Sequence, residues 1–424
     1  MVRFLTQRIL SGPDSGIPKT GRIGYLPGPL ERFNKMKILH VIDPTCGLDS
    51  LDTLVLLLKK LPAEHHVLVL GNYGWRDAAL QAGVDPGQLS WSRGLARWDP
   101  TLLRNVSRCV GHFGPTHLHA WGSWGIRAAS RLGVSLPRIA GVQIAPKKVL
   151  VRSLVRSSAR CPMLFITPWN VTIQALSAAG IPKERVLKVS PATWIAPNES
   201  PAPANLRRIL GQPAREGPVV MLTGWSEQAM RHDLGIWAVG ILSQVYLDIW
   251  GLLRSDHTFR HESVNPFAGY MSFSKTVKDP GLISIAPSNK FSWGQLTAIA
   301  SVVGFPAGES TGLNCVLAAM AQGKAIAAFD TPQIRELLSD RVHALLAPVG
   351  DPKELASRLH ALLKDNPLRE SIGKAARGHY DKYCSPEAFI EQMTSVYAQI
   401  QSDPALTRQI VLPAEAQFLS GQDD

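Results

Sequence analysis

Phe305-Pro-Ala-Gly-Glu-Ser-Thr-Gly-Leu-Asn-Cys-Val-Leu-Ala-Ala-Met-Ala-Gln-Gly-Lys324, followed by Ala325-Ile-Ala-Ala-Phe329, decides how the rest of the chain is read. It describes a short loop with one acid, a tight turn, a helix of small residues and a buried strand. Glu309, Ser310 and Thr311 are side chains suited to starting a helix, because each can occupy orphan backbone donors. Gly312 lets a ligand approach the backbone closely. Leu313, Val316, Leu317 and Met320 recur at three- and four-residue spacing, which gives a helix one apolar face. Gly323 stands where helices commonly stop. A helix start with free N–H groups attracts anions, so the segment predicts a phosphate-bearing ligand.

The stretch resembles the donor loop of retaining nucleotide-sugar glycosyltransferases of family 4, the glycosyl transferases group 1 type. That loop reads Pro-Ser-x-x-Glu-Gly-Phe-Gly-Leu and continues Glu-Ala-Met-Ala-x-Gly-x-Pro-Val. Glu309, Gly312, Leu313, Ala319-Met320-Ala321 and Gly323 match in kind, while Ala318 stands where the family has a second Glu. The spacing is one residue long, so Glu309 or Ser310 can hold the first acidic position; Glu309 is preferred because only a carboxylate does that position's work. The resemblance implies an α/β fold with two Rossmann-like domains facing a cleft (GT-B).

Downstream, Asp330–Leu338, Gly350–Leu355 and the helices over 368–383 and 386–401 continue the resemblance, and the last helix is expected to cross back to the first domain. Upstream, Val219–Gly224 starts the second domain, with a helix over Leu234–Tyr246 and a strand over Leu247–Leu253. Residues 234–253 hold one charge, Asp248, yet their place in a repeating α/β pattern favours a buried helix and strand over a membrane span. The family's diphosphate-binding Arg and Lys fall on Trp225 and Met230. Arg231 is the substitute cation, since a guanidinium pairs well with phosphate.

The first half alternates in the same way from Met36. Ile38–Ile42 is a short apolar run fit for a strand buried on both faces. Gly47 lies in the following turn, where it is either ordinary turn chemistry or the remnant of the family's Gly-rich loop at the cleft mouth. His119 is expected at the end of a parallel strand, lining the cleft or bonded to nearby backbone, and His117 is assigned to the opposite side. Gln143 replaces a His that many family members place at the reacting centre; it can hydrogen-bond a hydroxyl but is no acid or base. Expected domains are 1–35, a flexible arm; 36–200, the acceptor-side domain; 201–218, a linker; 219–385, the donor-nucleotide domain; and 386–424, the returning helix and a loose tail.

At 424 residues, with 45% hydrophobic and 18% charged residues, the chain has room for two cores and is not compositionally disordered. Its net charge of +12 favours anionic partners. The basic residues do not alternate with exposed aromatics in a nucleic-acid module, so no nucleic acid is expected. Five scattered cysteines without Cys-x-x-Cys spacing fit a reducing compartment and no structural zinc. Lys148, Arg152, Arg156 and Arg160 recur every four residues, either as a solvated face or as a patch docking on anionic membrane. The expected location is cytoplasmic, with the inner membrane face left open by that patch.

The resemblance implies sugar transfer with retention from a nucleotide diphosphate sugar to an unknown acceptor. Glu309 would be catalytic; Arg231, Ser310, Thr311, Gly312 and Leu313 would bind the donor; Gly47, His119 and Gln143 would line the cleft. No metal or cofactor is expected, because amides and cations do that work. Ala318, Trp225, Met230 and Gln143 together keep a second function open, a catalytically weak homologue that binds a sugar nucleotide or glycan as a partner subunit.

Overall fold

A computed structural model describes residues 36–71, 73–92, 100–143, 148–193, 205–210, 216–225, 228–255, 281–287, 290–308 and 311–402. The expected arm, much of the linker, the C-terminal tail, Glu309 and Ser310 lie outside the described residues.

The first domain runs β1 (Lys37–Ile42), α1 (Leu48–Lys60), β2 (Glu64–Leu70), α2 (Tyr73–Ala82), β3 (Leu89–Ser92), α3 (Pro100–Phe113), β4 (His117–Trp121), α4 (Ser123–Ala129), β5 (Arg138–Gly141), α5 (Lys148–Arg160), β6 (Leu164–Thr167), α6 (Asn170–Ala178) and β7 (Val186–Lys188). A short α7 (Leu206–Ile209) precedes the second domain. That domain runs β8 (Val219–Leu222), α8 (His232–Leu242), β9 (Trp250–Ser255), β10 (Ile283–Pro287), α9 (Trp293–Ile299), β11 (Val302–Phe305), α10 (Leu313–Ala321), β12 (Ile326–Phe329), α11 (Pro332–Leu337), β13 (Leu345–Ala347), α12 (Pro352–Lys364) and α13 (Asn366–Tyr383). α14 (Pro386–Ser402) ends the described chain.

Every pairing in both sheets is parallel. The orders are β3-β2-β1-β4-β5-β6-β7 and β10-β9-β8-β11-β12-β13. These are two doubly wound Rossmann-like domains. The short apolar runs Val219–Leu222, Val302–Phe305 and Ile326–Phe329 are buried throughout, as strands covered on both faces must be. In each sheet the order reverses once, between β1 and β4 and between β8 and β11. Such a reversal opens a crevice beyond the carboxyl ends of the strands, where α/β proteins bind ligands.

Three expectations change. The helix expected over Leu234–Tyr246 is α8, which stops at Leu242, and the following strand starts at Trp250. Val245 and Leu247 are exposed at 63% and 84%, so the stretch between α8 and β9 is a surface connection. His119 lies in the middle of β4, because the strand runs on through Trp121. His117 shares its face, contrary to the assignment above, since strand alternation returns every second side chain to the same side.

That face is polar and buried under α14. The Tyr397 hydroxyl meets His119 Nδ1 at 2.6 Å, and the Tyr397 carbonyl meets His117 Nε2 at 3.2 Å. Trp121 Nε1–H donates to His40 Nδ1 at 3.4 Å, which leaves His40 Nε2–H to donate to His65 Nδ1 at 3.1 Å and His65 Nε2–H to donate to the Leu61 carbonyl at 3.1 Å. Every ring in this relay is neutral in its tautomer. Burial holds His119 down at about 3, His117 at about 4 and His40 well below the ordinary imidazole range. The His119 ring therefore takes part in docking α14 rather than facing the cleft.

Candidate functional site

The two crevices face each other, and the residues that meet there come from loops after β1, β4, β8 and β11. At the first crevice Asp43 ends β1 and is fully buried. Its Oδ1 accepts the Thr45 N–H at 2.8 Å and the Thr45 hydroxyl at 2.6 Å. Its Oδ2 accepts N–H groups at the start of α4, from Trp124 at 3.0 Å and Gly125 at 2.8 Å. Gly122 makes room for this carboxylate: a Cβ there would lie 2.5 Å from Oδ2. Burial pushes the Asp43 carboxyl up to about 6, against hydrogen bonds that pull it down. Gly47, with a φ of 77°, is the N-cap of α1 and offers no side chain to it.

At the second crevice the motif loop turns into α10. The helix starts at Leu313, later than Glu309–Thr311 predicted, with Gly312 as a left-handed N-cap at φ 73° and no side-chain cap of its own. Only glycine fits: a Cβ on Gly312 would come within 2.6 Å of Met230 Sδ. Met230, at the family's Lys position, is thus a buried packing residue beneath the loop. Trp225, at the family's Arg position, is also buried.

The carboxylate that caps α10 comes from the other domain. Asp49, in the first turn of α1, accepts the Gly312 N–H at 2.8 Å, the Trp225 indole N–H at 2.8 Å and the Asn314 N–H at 3.4 Å. Asn314 Nδ2 returns a hydrogen bond to the Asp49 carbonyl at 2.8 Å. Burial pushes the Asp49 carboxyl up, opposed by bonds from Trp225, Asn314, Gly312 and Leu313. Two helix starts, α1 and α10, therefore converge on one carboxylate with no cation among its described partners.

A second contact mirrors the first. Glu336, on α11 of the second domain, accepts the N–H groups of Asn170 at 2.6 Å and Val171 at 3.0 Å, the first two of α6. Lys188 Nζ lies 3.6 Å from the same carboxylate, and burial lowers its pKa against the raising effect of Glu336. Ser190 N–H donates to Gln392 Oε1 at 2.7 Å, tying α14 to the same domain.

Among the residues expected at the site, Gly47, Thr311, Gly312 and Leu313 lie along this seam. Arg231 adopts φ 48° at the start of α8, pairs with Asp233 through Nε and Nη2 at 3.0 Å each, and packs beside Gly308. Gln143 is buried just beyond β5, and its carbonyl accepts the Trp169 indole N–H at 2.9 Å. His232 is buried with Nε2 on the Trp225 carbonyl at 3.0 Å, and burial lowers its pKa to about 4. Asp43, Asp49, Asn314 and Glu336 were not singled out from sequence, although an acid just beyond the first strand of such a sheet is a signal worth following. No group of three or more His, Cys, Asp or Glu suited to a metal occurs among the described residues. No helix among them is long and apolar enough to cross a membrane.

The model of the family "Glycosyl transferases group 1" matches residues 288–379, the segment that contains α9, β11 and α10. Solved structures share the whole architecture. HepE of Anabaena in complex with UDP-glucose superposes with a TM-score of 0.68 at 16% identity, over 86% of this chain and 100% of that one. A glycosyltransferase from Rickettsia africae gives 0.67 at 14% identity, over 88% and 100%. Sucrose-phosphate synthase from Thermosynechococcus elongatus gives 0.65 at 14% identity, over 87% and 100%. No curated protein sequence matches the chain. The chain thus has the two-domain GT-B fold of these structures, and its residues 288–379 are similar to the group 1 glycosyltransferases.

Proposed function

We propose that the chain transfers a sugar, with retention and without a metal, from a nucleotide diphosphate sugar to an acceptor bound by the first domain. The observation that carries this reading is the start of α10: its N-cap is Gly312, which has no side chain to cap it, and it lies at the switch point of the second sheet and within the family-matched segment. The amides of Gly312 and Leu313 there suit a diphosphate, aided by the helix dipole. Arg231, beside Gly308, supplies the nearby cation, and Ser310 and Thr311 lie in the same loop. Glu309 takes the catalytic position by the motif match, orienting the donor sugar or stabilising positive charge at its anomeric carbon. Charge building on the departing diphosphate is met by fixed N–H groups, the usual dominant contribution to such transfers. HepE, of the same fold, was captured with UDP-glucose, which makes a uridine nucleotide the first donor to try.

The exposed cations Arg152, Arg156 and Arg160 on α5 fit an acceptor that is anionic or presented at an anionic membrane. A second reading, a binding subunit with little turnover, draws on buried Met230 and Trp225 where the family has cations, and on Ala318. The test is turnover of UDP-, GDP-, ADP- and TDP-sugars, read as nucleotide release, in the wild type and in Glu309→Gln. Release abolished by the substitution supports the transferase. Nucleotide binding without release from any of the four donors supports the binding subunit. Co-sedimentation with phosphatidylglycerol vesicles, lost in a triple Arg152, Arg156 and Arg160→Gln variant, checks the membrane-side acceptor.

A further inference from the structure

Resting on the donor reading above, we propose that Asp49 is an internal competitor of the donor: its carboxylate holds the α10 amides that the diphosphate needs, so donor binding requires Asp49 to leave and the domains to part at this seam.

The geometry sets the competition. The Gly312 N–H points at Asp49 Oδ2 at 2.8 Å, and one N–H cannot serve a phosphate oxygen along the same line. Two anions at that spacing also repel each other strongly in a buried site. Swinging the side chain aside would break its bonds to Gly312 and the Trp225 indole together, while the Asp49 carbonyl, held by Asn314 Nδ2 at 2.8 Å, keeps the residue buried in the seam. It rides on α1 of the first domain, whereas all of these partners belong to the second. Its expulsion is therefore a movement of one domain against the other.

The contact also explains a substitution that the resemblance leaves unexplained. An Arg at position 225 would neutralise a bound diphosphate. Trp225 instead gives a single neutral N–H, which goes to Asp49, and no ion pair to Asp49 is made among the described residues. The carboxylate is held by neutral donors, the Trp225 indole and the α10 backbone, and removing it leaves two positive helix ends facing one another. Asp49→Ala should thus strengthen the site for a diphosphate.

Calorimetric titration with UDP, GDP, ADP and TDP tests this on the full chain, using wild type, Asp49→Ala, Asp49→Asn and Glu336→Gln. The expected result is at least a tenfold tighter Kd for one nucleotide in Asp49→Ala and a smaller gain in Asp49→Asn, whose amide keeps the shape should the alanine variant fail to fold. Glu336→Gln, which loosens the other contact, should leave that Kd within about twofold. Equal or weaker binding in both Asp49 variants overturns the competition while leaving the donor site standing. An equal gain in Glu336→Gln also overturns it, in favour of general loosening. No binding of any nucleotide to any form removes the donor reading and the competition together.

Discussion

Asp49 and Glu336 make the same kind of contact in opposite directions. Each is a carboxylate of one domain seated on the start of a helix in the other whose N-cap residue makes no side-chain bond. They differ in what surrounds them. Glu336 faces Lys188 and takes two N–H groups of α6, so its charge is balanced and the contact can persist. Asp49 is buried among neutral donors, and burial works against its ionised form. The same motif is thus a permanent strap on one side of the seam and a replaceable occupant on the other. The cation beside it makes the difference, because a buried charge is stable only when paired.

The largest effect that breaks this comparison should come from Glu336→Ala. It takes the Glu336 carboxylate from two helix-start N–H groups and from the Lys188 ammonium, at a cost of about 3 kcal/mol in denaturant unfolding. A loss no greater than that of an Asp49 variant would erase the distinction drawn here.

Asp43 supplies the in-domain reference, a buried carboxylate on a helix start of its own domain. Its pKa is raised from 3.8 to about 6, so the folded state binds this proton more tightly than the unfolded state does. Its contribution to stability is full below about pH 4 and is lost as pH rises to about 6, a swing of about 3 kcal/mol at most. Asp43→Asn should lack that slope, so the difference between wild-type and variant unfolding energies should itself fall with rising pH across this window. A difference flat with pH would mean that Asp43 is ionised in the fold throughout.

Lys188→Met, which leaves Glu336 on its N–H groups but without its cation, should cost about 1 kcal/mol by the same unfolding measurement. Smallest is Asp49→Asn, where weaker hydrogen bonds offset a relieved burial penalty, giving a change within about 1 kcal/mol in either direction at pH 7. A loss as large as that from Glu336→Ala would make Asp49 a strap as well.

The architecture was legible because it is written locally. Apolar runs such as Val219–Leu222 and Ile326–Phe329 have the length and composition of strands covered on both sides, and the spacing through Leu313–Met320 gives a helix with its start beside a flexible glycine. The seam was not legible. Asp49 meets Gly312 across 263 residues of sequence through a backbone N–H, a group that every residue but proline carries. Glu336 reaches α6 across 166 residues in the same anonymous way. The likeness to a Gly-rich loop also drew attention to Gly47, two positions from the acid that makes the contact. For His119, alternation predicts a face but not where the strand ends, and two more residues of β4 place the ring mid-sheet under Tyr397.

The Tyr397 contact bears on how the molecule is made. The polar face of β4 is complete only when a segment 278 residues further along reaches it. On a ribosome, the first domain emerges long before α14 exists, with His117 and His119 awaiting that helix. Its sheet can form early, but its packing is finished late, and a chain released before residue 397 would carry an exposed seam for chaperones or proteases to find.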